Sequence, residues 1–227
     1  MPPARSTRPQ DVPAEILAVA TRLFAERGFD GTSVQAIADE VGIRKPSLLY
    51  HFPSKVELRR SVLASMLDRW NEILPRLLLA AAAGEAQFDA VFRETVDFFV
   101  ADQDRARLLL RESMDRPTEM RALIDQHARA WTTVVCDYIR KGQKAGRVHL
   151  DVDPEAYLAH VINLVISTLA VWRTISSLYP GQDPEADLER HVAELLRFAK
   201  SSLFVTRDGE ESLVTPQTSR PRAASET

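Results

Sequence analysis

Arg44, Lys45, Ser47, Tyr50 and His51 crowd into one short segment and together supply two fixed cations, two hydroxyls and an imidazole. Such a set hydrogen-bonds to base edges and phosphate oxygens, where guanidinium and ammonium groups act as charge-assisted donors. Ser33, Gln35 and Lys55 stand near expected helix starts, where free backbone N–H groups also attract phosphate. The rest of the chain offers little chemistry of this kind. His51, His127, His149, His160 and His191 share no metal-ligand spacing, and Cys136 is the single cysteine. Neither a phosphate-cradling glycine loop nor a Gly-x-Ser-x-Gly elbow occurs. The reading is a non-enzyme with no cofactor and no metal.

Two short helices joined by a turn at Val41-Gly42-Ile43 must carry those side chains, with a further helix opening at Ser54. Thr32-x-x-Gln35 and Ser54-x-x-Glu57 both have capping-box spacing, which predicts helix starts at Thr32 and Ser54. Gly42 stands where the chain turns sharply, a place for positive φ. Ala36, Ile37, Val41 and Leu48 have the spacing to pack the two helices together and onto Phe24. Pro46 in the first turn of the second helix costs no helical hydrogen bond. The pattern is a helix-turn-helix, whose second helix lies in the DNA major groove.

The chain has 227 residues, 45% of them hydrophobic, and only 8 glycines. Ala, Leu, Arg and Glu dominate the middle, and no long stretch alternates polar with apolar, so the expected class is all-α with about nine helices. The first runs from Val12 to Arg27, with Ile16, Leu17, Ala20, Leu23 and Phe24 on one stripe and Gly28 as its stop. Asp153-Pro154 and Asp183-Pro184 place a capping Asp before a proline, predicting two long helices over Pro154–Leu178 and Pro184–Val205. Residues 1–10 and 206–227 are polar and Pro/Ser-rich, which predicts disordered ends. Between them the reading divides the chain into a DNA-binding head, 11–58, and a larger helical body, 59–205. The helix from Ser54 to Leu79 joins the two, interrupted or kinked at Pro75.

Net charge is −3, yet residues 1–60 carry nine Lys/Arg against seven Asp/Glu, so the excess of acid lies in the body. A local cationic face is enough for DNA. A lone Cys136 on an apolar helix suits a packed thiol in a reducing cytoplasm. The N-terminus lacks the apolar core of a signal peptide. The most lipid-like run, Val161 to Trp172, contains Asn163 and falls short of the roughly 20 residues a span needs. No membrane association is expected.

The segment Gly28-Phe29-x-Gly31-Thr32-Ser33-Val34-x-x-Ile37-Ala38-x-x-x-Gly42-Ile43-x-x-x-Ser47-Leu48-x-Tyr50-His51-Phe52-x-Ser54-Lys55-x-x-Leu58, preceded by Leu23-Phe24-Ala25-Glu26-Arg27, resembles the head of the TetR (tetracycline-repressor) family. The likeness covers about residues 12–60. It implies a homodimeric, ligand-responsive transcriptional regulator, usually a repressor. Matching positions assign phosphate contacts to Ser33, Tyr50, His51 and Lys55, and base-edge contacts to Gln35, Arg44, Lys45 and Ser47. One departure is Leu49, where family members commonly carry an aromatic.

For the body, the last two helices are the expected pairing elements. Their apolar positions give a candidate dimer surface of Val161, Val165, Leu169, Trp172, Leu188, Val192, Leu195, Leu196, Ala199 and Leu203. Two-fold symmetry then implies a pseudo-palindromic operator, with reading helices about 34 Å apart. The resemblance also implies an effector cavity, for which Met66, Trp70, Phe92, Phe99, Arg111, Met114, Trp131 and Arg173 are the candidates. An apolar or amphipathic effector fits that set. The alternative is a helical small-molecule- or partner-binding protein without specific DNA binding, favoured only by Leu49 and the net negative charge.

Overall fold

Helix α1 (Val12–Arg27) buries the stripe its sequence announces: Ile16, Ala20, Leu23 and Phe24 are inaccessible to solvent. The computed structural model describes residues 12–80, 84–178 and 183–205. The proposed disordered ends lie outside those residues. Gly28, with φ +74°, ends α1. Helix α2 (Val34–Val41) follows, then α3 (Lys45–His51) and the long α4 (Lys55–Ala80). Ile37, Leu48 and Leu58 close the core of this head against Phe24. Helix α4 runs unbroken through Pro75, so of the interruption or kink expected there the interruption does not occur.

The body continues with α5 (Glu85–Val100), α6 (Gln103–Asp115), α7 (Pro117–His127) and α8 (Arg129–Lys144), and then α9 (Pro154–Ala170). A single turn, α10 (Trp172–Ile175), and a 3-10 turn at Ser176–Leu178 precede α11 (Pro184–Leu203). Among the described residues eleven α-helices stand where about nine were expected. No strand forms among the described residues, and an isolated bridge pairs Val148 with Phe204. Asp153 and Asp183 cap α9 and α11 as their spacing predicts, each accepting from backbone N–H groups ahead of it.

The expected continuous helix from Pro154 to Leu178 is instead broken at Val171, and the two pieces meet at 65°. Neither proline nor glycine marks the break. Trp172 is buried there and lies 5.3 Å from the His191 ring of α11, so tertiary packing overrides local propensity. No single described helix is long and apolar enough to cross a membrane; α9 and the Trp172–Leu178 segment reach that length only together, across their bend.

One buried apolar cluster runs from Ile16 and Phe24 in the head through Leu58 and Val62 of α4 to Phe98, Leu108 and Val165 in the body. Head and body thus share a core rather than meeting through a linker. Lys200 on α11 pairs with Glu85 and Asp89 of α5, and Tyr157 on α9 donates to the Ala199 carbonyl at 2.7 Å. These bonds tie the last helix to the rest of the body.

Candidate nucleic-acid interface and internal cavity

The turn between α2 and α3 depends on Gly42, which adopts φ +79°, ψ +25°. Its N–H reaches back to the carbonyls of Ala38 and Asp39, closing α2 in a left-handed cap. The start of α2 differs from the sequence expectation by one residue. Ser33 is the cap, accepting from the Ala36 N–H at 3.0 Å, while Thr32 is buried. The Thr32 hydroxyl bonds instead to the carbonyls of Leu23 (3.0 Å) and Gly28 (2.8 Å), locking the loop onto the end of α1. At the next start, Ser54 accepts from the Glu57 N–H at 3.1 Å, as its spacing predicts.

Helix α3 buries Leu48 completely and leaves Arg44, Lys45, Ser47, Tyr50 and His51 exposed. Tyr50 is 85% exposed, with its ring edge-on to His51 at 5.4 Å. The Arg44 and Lys45 side chains make no hydrogen bond or ion pair with any described residue. Two uncommitted cations at the opening of a helix anchored by one buried leucine form a surface suited to a polyanionic groove. Ser33 is also exposed, and Gln35 donates to Asp39 at 2.7 Å along the outer face of α2.

Lys55 behaves differently from the expectation of a phosphate contact through its side chain. Its ammonium donates to the carbonyls of Phe29 (2.7 Å) and Thr32 (2.8 Å) and lies 4.2 Å from the centre of the Phe29 ring. The two carbonyls hold it inward, so Lys55 positions the α1–α2 loop from the first turn of α4. Spacing alone gave no sign of this, because the partner carbonyls lie 26 and 23 residues away.

A second cluster that sequence reasoning missed joins head to body around the same ring. Arg59 and Arg116 also stack on Phe29, at 4.9 and 4.7 Å. Both reach Glu112 of α6, Arg59 at 2.9 Å and Arg116 at 3.5 Å, while Arg116 bonds Asp30 at 3.1 Å and Arg59 also pairs with Glu119. Arg111 packs against Gly28, where any Cβ would lie 2.9 Å from its Nη1. Arg111 therefore lies against the head at this junction, outside the internal cavity.

Inside the body, α4, α5, α8 and α9 enclose an apolar cavity of about 130 Å³. Of the expected effector residues, Met66, Trp70, Phe92, Phe99 and Trp131 line it. Met114 is a correction: it is exposed, beside Arg111 in a shallow surface hollow. Arg173 is another, lying in an open polar hollow with Asp102 and Asp104. Met114 lies on the outer face of the last turn of α6, and Arg173 follows the break after α9, which sequence periodicity did not locate. Phe88, Tyr138, Tyr157 and Leu203 also line the cavity. Burial pushes both tyrosine hydroxyls above their ordinary range, and each donates to a carbonyl, Tyr138 to Gly84 at 2.6 Å. Cys136 is buried on α8, and loss of hydration raises its thiol pKa, as for a packed thiol.

The candidate pairing stripe also requires correction. Val165, Leu169, Trp172, Leu195, Ala199 and Leu203 are buried inside the chain's own fold, and Val161, Leu188, Val192 and Leu196 are half-buried against it. The strongest apolar stripe of a helix seeks its own core first. The exposed side of α11 carries Phe198, 58% accessible, beside a hollow lined by Leu164, His191, Glu194 and Leu195.

Comparison with known proteins settles the class. The sequence pattern of bacterial regulatory proteins of the tetR family matches residues 16–62, the span of the helix-turn-helix and its supports. The chain is similar to the transcriptional repressor KstR2 of Rhodococcus jostii, 32% identical over 149 residues, covering 62% of this chain and 70% of that one. The chain belongs to the TetR family of transcriptional regulators. This TetR-family protein is also similar to the transcriptional activator FasR of Mycolicibacterium smegmatis, 24% identical over 189 residues, 83% of this chain and 81% of the other. Its fold matches that of FadR from Bacillus subtilis in complex with stearoyl-CoA, with a TM-score of 0.68 at 16% identity, over 83% of this chain and 98% of that one.

Proposed function

We propose that this TetR-family regulator is a homodimeric repressor that binds a pseudo-palindromic operator through α3 and is released by a small apolar or amphipathic effector. The observation that carries the proposal is the exposed, uncommitted Arg44–His51 face on a helix fixed by Leu48. Arg44, Lys45, Ser47 and Gln35 are assigned to base edges, and Ser33, Tyr50 and His51 to phosphates. Lys55 acts by holding the loop that carries Ser33, through its bonds to Phe29 and Thr32.

A second copy is assigned to the exposed apolar side of α9 and α11 around Phe198 and Leu164. The cavity is assigned to the effector, supported by its aromatic lining and by the complex of the similar FadR fold with stearoyl-CoA. Effector binding favours a conformer in which the two heads no longer match successive grooves, and this requires unequal affinity for the two conformers.

Fluorescence anisotropy with duplex from the chain's own upstream region tests the DNA reading. The expected result is binding far tighter than to random duplex at matched salt. Equal affinity for both duplexes would leave the alternative of a helical binding protein without specific DNA recognition. Transcript levels of neighbouring genes after deletion decide between repression and activation.

A further inference from the structure

We infer that the effector carries no ionised group: the cavity admits compact neutral molecules, such as hydrocarbons, ketones or alcohols, and turns away carboxylates and ammonium ions. The inference rests on the effector reading of the cavity and decides against an ionised amphiphile, which that reading leaves open.

The described lining contains no Asp, Glu, Lys, Arg or His. Its two phenols stay protonated, since burial pushes both above their ordinary range. The donors that might solvate an anion in place of water are committed elsewhere. Thr95 donates to the Val91 carbonyl at 2.8 Å, Tyr138 to Gly84 at 2.6 Å and Tyr157 to Ala199 at 2.7 Å. Gln87 is engaged as well. Trp131 Nε1 is sealed off by its neighbours. At most the Trp70 indole is left to face a ligand, and it is a single neutral donor.

Cations close to the wall do not fill the gap. Arg69 and Arg105 lie over the ring of Phe98, a wall residue, at 5.2 and 4.5 Å. Each already has a carboxylate, Arg69 from Glu94 at 3.1 Å and Arg105 from Asp102 at 3.4 Å. Lys200, one turn before the wall residue Leu203, is held by Glu85 and Asp89. A carboxylate that entered would shed its hydration and gain neither a counter-ion nor a set of donors. An ammonium finds no acid in the wall, and attraction to aromatic faces recovers only part of its lost hydration. The volume, about 130 Å³, suits a single-ring probe, since apolar cavities of about 150 Å³ hold benzene.

Isopropylbenzene, acetophenone, benzoate and benzylammonium are close in size and differ in polarity and charge. Titration calorimetry at neutral pH, on the full native chain, compares them. Isopropylbenzene and acetophenone are expected to bind, and both ions at least about a hundredfold more weakly. Acetophenone and benzoate share a planar outline, so a gap between them reports charge rather than shape. Ring currents from a bound neutral probe should move the indole N–H resonances of Trp70 and Trp131, both in the wall, which places the probe in the cavity. Either ion binding within about tenfold of acetophenone, with those resonances moved, would overturn the inference and leave the cavity reading intact. If neither neutral probe binds, or both bind without moving the two resonances, the cavity reading falls and takes the inference with it.

Discussion

Glu112→Gln tests the junction between head and body most directly. Glu112 is 1% exposed and accepts from Arg59, itself almost wholly buried, at 2.9 Å, with Arg116 at 3.5 Å on its other oxygen. The amide keeps the shape and removes the charge, leaving two guanidinium groups short of a counter-ion in a desolvated site. Breaking a buried pair from one side costs about 3–5 kcal/mol. Here the remaining partners soften the loss, since Arg59 keeps Glu119 and Arg116 keeps Asp30, both exposed carboxylates. The lower end, about 3 kcal/mol, is the expected cost, which lowers Tm by roughly 6–12 °C for a chain of this size. Glu119→Gln, which removes only the exposed partner, should cost less than about 1 kcal/mol. Thermal unfolding followed by circular dichroism, at fixed protein concentration, compares the two. Equal midpoints for both variants would show that Glu112 does not anchor the junction and that the shared-core account of head and body needs another tie.

Arg44→Ala or Lys45→Ala should change which bases are preferred at one operator position, by about 1–3 kcal/mol, whereas Tyr50→Phe should weaken all sequences alike; selection from a randomised duplex pool distinguishes them. Phe198→Asp should leave the fold intact and weaken self-association about thirtyfold or more, as seen by sedimentation; an unchanged dimer would move the pairing surface elsewhere. Burial lowers the His191 pKa below its usual 6.5, so the unfolded chain takes up this proton first as pH falls. His191 should therefore cost no stability above about pH 6.5 and a growing amount below it, and His191→Asn should flatten that limb of the Tm profile relative to the native chain.

Much of the head was legible because its determinants are local. Phe24, Gly42, Leu48 and the Ser54 cap each act within a turn or two of their own position, and a periodicity or a φ requirement reveals them. Asp153 and Asp183 announced their helices for the same reason. What spacing could not show was partnership across the fold. Thr32 and Ser33 are both capping residues by type, and only the carbonyls of Leu23 and Gly28 decide which is buried. Lys55 and Arg111 carry the right charge for a ligand, yet the Phe29 carbonyl holds the first and the second lies against Gly28. In α9 and α11 the dominant stripe marked the chain's own core, so the weaker outer face around Phe198 went unnoticed. The break at Val171 has no local cause in the sequence and follows from the burial of Trp172.

Helix α4 belongs to two neighbourhoods at once. Lys55 at its start grips the loop ahead of α2, while Met66, Trp70 and Leu74 form part of the cavity wall. At about 1.5 Å per residue, Lys55 and Trp70 are separated by roughly 22 Å of rigid rod. A pivot of a few degrees near the wall therefore sweeps the far end through an ångström or two, the scale of a single hydrogen bond's tolerance. On the proposed function, a ligand in the cavity would act on the DNA-facing surface through this one helix, with no loop between Lys55 and Trp70 to absorb the stroke.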